Sequence, residues 1–453
     1  MLLAGIFLLQ FLIGFGLIDK FEVISRFPQK ISLSIILGFF ISTIPVFALE
    51  LVHITLTVFS IYLAIAVTAL AVNLNLSCLF KRLRQVFTEY HYTINVYETI
   101  FLGAICYLLF FSVWRSYAIP VTPYDSIVGI DLVAKQAIKE GHIVSSFFFR
   151  SDFRAFISTQ PYYAPFTMLM QVIYRSIGLP FGQLWLGILT VSFFIFTYSK
   201  LCETISPVLA GFFVLLLVTV PELYAYTFLL QTDFSNAVFF AIAMIFTIEF
   251  LDSKKTPHLI LGSMFMAAAC WSRTETIVLV IPVAIVVSGL SFSGSLVQSV
   301  RYAAGYAGFC VLFTALWNLV FFKFYFPVVP DMKDQINWTG LYSIEKSTEI
   351  LNGMNKYFFD TGYWGYFIYI FLGLWLVNVV FTRRKEALWP LVWLIAFYFC
   401  FFIMLHHFTL MNIEYTFRRA IMKFLLLMCL MIGRLHFLQT RKKPTAATAT
   451  DKG

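Results

Sequence analysis

Long apolar runs alternate with short polar breaks from one end of the chain to the other. A helix of about 20 apolar residues is long enough to cross ~30 Å of hydrocarbon. The pattern predicts about thirteen such spans, at roughly 2–18, 31–49, 51–72, 97–114, 182–199, 205–222, 233–251, 257–271, 275–290, 301–322, 362–381, 388–408 and 420–437. A membrane barrel would show short alternating strands instead. The expected fold class is all-α, a polytopic bundle of transmembrane helices.

Two polar breaks are long, 115–181 and 323–361. The first contains "VTPYDSIVGIDLVAKQAIKEG", Val121 to Gly141. Its apolar positions Ile127, Ile130, Ala134, Ala137 and Ile138 recur at helical spacing, opposite Asp131, Lys135 and Lys139. That spacing predicts an amphipathic helix beginning near Asp125, either capped by Asp125 or presenting it. Asp131 and Lys135 form an i,i+4 pair on such a helix.

Composition agrees with the pattern. Sixty per cent of residues are hydrophobic and 12% are charged. An ordinary soluble domain carries about a quarter charged residues, so that class is excluded. The net charge of +9 fits cytoplasmic loops against anionic headgroups and gives no reason to expect nucleic acid as a partner. The seven cysteines are scattered through apolar runs without CxxC spacing and read as small packing residues. Met1 to Ile18 lacks a basic leader and a small-residue cleavage site, so it reads as a membrane helix and not a removed signal.

Basic clusters suggest the sides. Lys20/Arg26/Lys30, Lys81/Arg82/Arg84, Lys254/Lys255, Arg383/Arg384/Lys385 and Arg441/Lys442/Lys443 should be cytoplasmic. All of them fall on one side only if the apolar run 161–178 does not cross. That run contains two prolines, two tyrosines, Gln171 and Arg175, and is expected to lie along the outer interface. The expected organisation is then additional N-terminal spans over 1–96, a core over 97–322 with the outer loop 115–181, a second outer loop over 323–361, C-terminal spans over 362–437 and a cytoplasmic tail over 438–453.

Several charges have no topological reason to exist. Asp125 and Asp233 stand at predicted helix starts on the outer face, and Arg273 sits in a tight turn beside Glu275. Arg418 and Arg419 are adjacent outer cations, whose ordinary explanation is a pair with Glu414 or a lipid headgroup contact, and His406 and His407 end a span near the same face. Ionisable groups at the edge of hydrocarbon usually face a cavity or a partner. Arginine's planar fork suits phosphate, and a nearby carboxylate can take a proton from a hydroxyl or amine nucleophile. The chemistry suggested is transfer from a phosphate-linked donor at the membrane surface. No Walker or Rossmann glycine pattern is present. Asp125, Asp233 and the histidines are able to assist a divalent metal, though no spacing demands one.

The order of "YDSIVGIDLVAKQAIKEG", "TQPYYAPFTMLMQVIYRSIG", "LLQTDFSNAVFF" and "LGSMFMAAACWSRTE" resembles the GT-C glycosyltransferases, in particular the relatives of protein O-mannosyltransferases and of the lipid A aminoarabinose transferase. The resemblance covers roughly residues 97–295. It implies a catalytic carboxylate at Asp125, with Asp131 as the fallback, and a second outer Asp at Asp233. It also implies a basic residue at Arg273, and donor-phosphate binding by Arg418 or Arg419. It further implies a polyprenyl-phosphate-linked sugar as donor and a glycan, lipid or protein as acceptor. The implied setting is a bacterial inner membrane, with the site extracytoplasmic. "QPYYAP" replaces the family's paired prolines, and the spans before residue 97 have no family counterpart. Two other classes share the pattern: a lipid or glycan transporter or flippase, and a structural protein of an envelope complex. A transporter tends to show internal repeats and helices broken at mid-membrane; an assembly protein would not require the particular carboxylates.

Overall fold

The computed structural model describes residues 1–21, 23, 24, 26–74, 94–150, 163–290, 295–327, 343–382, 385–408 and 411–440. Among them all regular elements are helices, as the apolar runs predict. In chain order these are α1 (Leu2–Asp19), α2 (Phe27–Leu51), α3 (Val58–Val72), α4 (Val96–Ala118), α5 (Asp131–Glu140), α6 (Phe166–Ser176), α7 (Leu184–Leu201), α8 (Pro207–Val218) and α9 (Pro221–Tyr226). There follow α10 (Thr232–Ser253), α11 (Thr256–Ser272), α12 (Thr276–Leu290), α13 (Leu296–Phe324), α14 (Ile344–Phe358), α15 (Phe367–Thr382), α16 (Trp389–His407) and α17 (Arg418–Ile432).

Seven of these, α1, α2, α4, α7, α10, α13 and α16, are long and apolar enough to cross a membrane. The segment from Ile344 to Thr382 adds an eighth if its two arms, bent by 108°, are taken together. These helices mark the chain as an integral membrane protein, and among the described residues the candidate spans number seven or eight, not thirteen. The difference lies in where helices stop, which apolar content does not record. Around 51–72 the backbone leaves the helix, with His53 left-handed (φ 58°), and α3 starts only at Val58. The run 205–222 is cut before Pro221, which opens α9, so α8 has 12 residues, about 18 Å at ~1.5 Å per residue. Arg273 leaves helical geometry and separates α11 from α12. The last run forms α17, whose 15 residues include Arg418, Arg419 and Lys423. The assignment of sides by counting spans therefore loses its basis. The clusters at 81–84, 383–384 and 441–443 lie outside the described residues.

Capping accounts for several helix starts. Asn95 and Glu98 form a reciprocal capping box at α4, and Thr57 and Ser60 do so at α3. Proline occupies the first turn of α2, α8, α9, α11 and α16, where its missing N–H is not needed. The centre of the protein is α10, buried along nearly its whole length and packed against α11 and α17. Segment 1–74 joins the same body. Tyr174 on α6 donates to Gln10 on α1 (3.1 Å), and Trp271 on α11 donates to Thr43 on α2 (3.0 Å). Helices α1 and α2 cross backbone to backbone at two glycines. A Cβ on Gly14 would lie 1.7 Å from the Ser34 carbonyl oxygen, and one on Gly38 would lie 1.9 Å from that of Gln10.

The run 161–178 is described from Tyr163 onward. Its helix α6 has 11 residues, too few to cross, in keeping with a non-crossing segment. It does not lie exposed at an interface, however. Phe166 to Tyr174 are all buried, and α6 packs against α2, α5, α7, α10 and α11. Its Gln171 and Arg175 join a polar network around the buried Asp131.

Candidate active site

Five separate stretches of chain deliver charged side chains to one place. Asp125 ends the short turn after Pro123 and immediately precedes a π-helical turn, Ser126–Ile130. Its carboxylate makes no capping hydrogen bond. The Ser126 hydroxyl donates to the carbonyl of Leu230, which fixes this turn beside the segment leading into α10. Asp233 lies in the first turn of α10 and is buried. Arg273 ends α11, and its register against α10 is locked from both sides. Asn236 donates to the Ala269 carbonyl (2.7 Å) and the Thr276 hydroxyl (2.8 Å), while Ser235 and Ser272 share a 2.8 Å hydrogen bond. Glu222 comes from the first turn of α9, and Arg418 and Arg419 open α17 directly after a second π-helical turn, Ile413–Phe417.

The contacts form one network. Arg273 pairs with both Asp233 and Glu275, and its guanidinium lies 5.5 Å from the ring centre of Tyr163. Arg419 Nη1 is 3.4 Å from Asp125 Oδ2 and 4.0 Å from Asp233 Oδ2. Arg418 Nε is 3.4 Å from Glu222 Oε1, and its guanidinium sits 4.5 Å from the ring centre of Tyr363. Burial pushes the Glu222 carboxyl above the usual range, although Arg418 and Arg419 pull the other way. Burial likewise raises the Tyr163 phenol, with Arg273 opposing.

Of the residues singled out in the sequence, Asp125, Asp233, Arg273, Arg418 and Arg419 thus belong to one cluster. Asp131 does not. It is fully buried, and Arg175 grips it with two bonds (2.7 and 2.9 Å), joined by Gln171 (2.8 Å) and Lys135 (2.8 Å). Gln171 is itself held by Trp185 (3.2 Å). A carboxylate whose lone pairs are filled in this way clamps α5 to α6 and has no site left for a substrate. The i,i+4 pair with Lys135 exists, but it joins an exposed lysine to a carboxylate that is fully buried. Glu414 is not the partner of the arginines; Glu222 and Asp125 are. His406 is buried, and its carbonyl accepts from Lys346 (2.8 Å). Among the described residues no three His, Cys, Asp or Glu side chains are grouped to hold a metal ion. In the cluster itself, guanidiniums face Asp125 and Asp233.

Sequence reasoning missed Glu222, Tyr163 and Tyr363. Glu222 follows Pro221 at a helix start, where an acid has an ordinary explanation in the helix dipole. Lys423, buried one turn after Arg419 inside an apolar run, carried a usable signal, since a lysine there is costly. The arrangement sets Arg418 and Arg419, each in long contacts with carboxylates, beside a partly exposed carboxylate, Asp125. No protein-family model matches the chain, and neither does any curated protein or solved structure.

Proposed function

We propose that this protein is a membrane glycosyltransferase, which moves a sugar from a polyprenyl-phosphate-linked donor to a hydroxyl or amine acceptor on the extracytoplasmic face. One observation supports this above the others. Asp125, Asp233, Arg273 and Arg419 lie far apart in the chain, were each conspicuous for a charge that topology does not require, and meet in one network at the ends of buried helices. The donor phosphate would lie on Arg419 and Arg418, with Arg273 completing the positive field. Asp125 would accept the proton of the acceptor as its oxygen or nitrogen attacks the anomeric carbon. The bond from that carbon to the phosphate oxygen breaks, and the lipid phosphate leaves with the electron pair. Asp233 holds Arg273 in position. No nucleotide is needed, and the donor's chain stays in lipid. The proposed setting is a bacterial inner membrane, with the C-terminus cytoplasmic.

Loss of the proton acceptor should cost on the order of 10²–10⁴ in rate. Asp125→Asn is expected to lose transfer to that extent, measured with a panel of radiolabelled polyprenyl-phosphate sugars, while eluting and melting as the parent protein does. Turnover close to that of the parent would remove Asp125 from this role. A flippase would move the same labelled lipids across vesicles without cleaving the sugar–phosphate bond, so the products separate the two readings.

A further inference from the structure

The cluster already contains as many acids as it can satisfy. Asp125, Asp233, Glu222 and Glu275 face Arg273, Arg418 and Arg419. A phosphate adds another negative charge, so at least one carboxylate has to give up its cation when the donor arrives. The three arginines are not equally held. Arg273 is buried between two carboxylates and against Tyr163. Arg418 has Glu222 and the face of Tyr363. Arg419 has only long contacts, 3.4 Å to Asp125 and 4.0 Å to Asp233, and spreads them over two carboxylates without a close pair to either. Good charge-assisted N–H···O⁻ bonds run at about 2.7–2.9 Å, and a phosphate can take two from one guanidinium. Phosphate therefore has more to offer Arg419 than its present neighbours do. Both Asp125 and the Arg418–Arg419 pair also border π-helical turns, a wide backbone geometry that recurs at functional sites.

We propose that Arg419 is a two-position residue: it bridges Asp125 and Asp233 before the donor binds, and it moves onto the donor phosphate afterwards, leaving Asp125 free to take the acceptor's proton. This rests on the cluster being the donor site. It makes the order of events compulsory, donor before acceptor, because a carboxylate that loses a neighbouring cation takes up a proton more readily. Asp233 also loses Arg419 but keeps Arg273 as a close partner throughout.

The test uses the full-length protein in detergent micelles, with farnesyl phosphate as the probe. Dicyclohexylcarbodiimide is apolar and modifies protonated carboxyls; mass spectrometry reads the modification at each acid. Farnesyl phosphate should raise modification of Asp125 by on the order of tenfold, equivalent to one pH unit, and raise that of Asp233, which keeps Arg273, by clearly less. In Arg419→Gln, Asp125 should be modified readily without the probe and should not respond to it. Should that variant fail to fold, the comparison of Asp125 with Asp233 in the unaltered protein still decides the matter. Farnesyl phosphate that binds, by native mass spectrometry, yet leaves Asp125 no more reactive overturns the two-position role and spares the donor reading. Failure of farnesyl phosphate to bind at all overturns both.

Discussion

Glu222 is mostly buried at the start of α9, and burial raises its carboxyl above the usual range against the pull of Arg418 and Arg419. An acid with a raised value in the fold binds its proton more readily folded than unfolded. It favours folding at low pH, and that contribution is lost as pH rises through the raised value. Glu222→Gln should therefore flatten the dependence of melting temperature on pH in the window just above the ordinary glutamate range, as a melting series across pH would show. An unchanged slope would mean that the group titrates as in the unfolded chain. At this scale the sequence was informative about which residues matter. A charge inside an apolar run is expensive, so Asp125, Asp233, Arg273, Arg418 and Arg419 stood out before any geometry was known. It was uninformative about partners. Glu414, four positions from Arg418, was the local choice; Glu222, on a different helix, is the real one. Packing between distant segments sets that pairing, and no short-range pattern records it.

Helix α5 shows how an element can be foreseen and still misread. Its amphipathic spacing is real, and Gly141 ends it in the left-handed conformation (φ 81°). Yet Asp131, placed on the polar side from the sequence, is the anchor to Arg175 on α6. Removing one member of a buried pair strands the other charge and costs about 3–5 kcal/mol. Asp131→Ala should accordingly lower the melting temperature sharply, whereas Asp125→Asn should leave it near the parent value. If calorimetry showed the two equally stable, the clamp would be ornamental. The crossing of α1 and α2 admits a similar test. Gly38→Ala pushes a methyl group towards the Gln10 carbonyl, and such overpacking typically costs about 1–3 kcal/mol. Denaturant or thermal unfolding that matched the parent would show that the helices separate freely. Spans were recognisable from apolar content, but their lengths were not, because breaks such as those at His53 and Arg273 are made by backbone geometry and partner contacts.

Taken whole, the protein has a polar network at each end of an apolar stack. Helix α10 has 22 residues, about 33 Å at ~1.5 Å per residue, between the Asp233 cluster and its far end. There Arg434 meets Asp252, and Lys200 bridges Glu203 and Glu249. If α10 crosses the bilayer, Tyr124 and Tyr415 share one side and Asp252 is on the other. Single cysteines at 124, 415 and 252, in a background free of the native cysteines, should react with an impermeant maleimide in that grouping in intact cells and inverted vesicles. Labelling of 124 and 415 from opposite sides would dismantle the proposed site. Sidedness was the least legible property in the sequence, since it required a correct count of spans.

The tie between Trp271 and Thr43 also bears on how the chain is made. Thr43 is fully buried, and its hydrogen-bonding tryptophan leaves the ribosome more than two hundred residues later. During synthesis α1 and α2 thus enter the bilayer before the segments that complete their polar contacts exist. The early helices depend on a shielded waiting place until the later ones arrive, and a message cut short before Trp271 would yield an unfinished half rather than a smaller working protein.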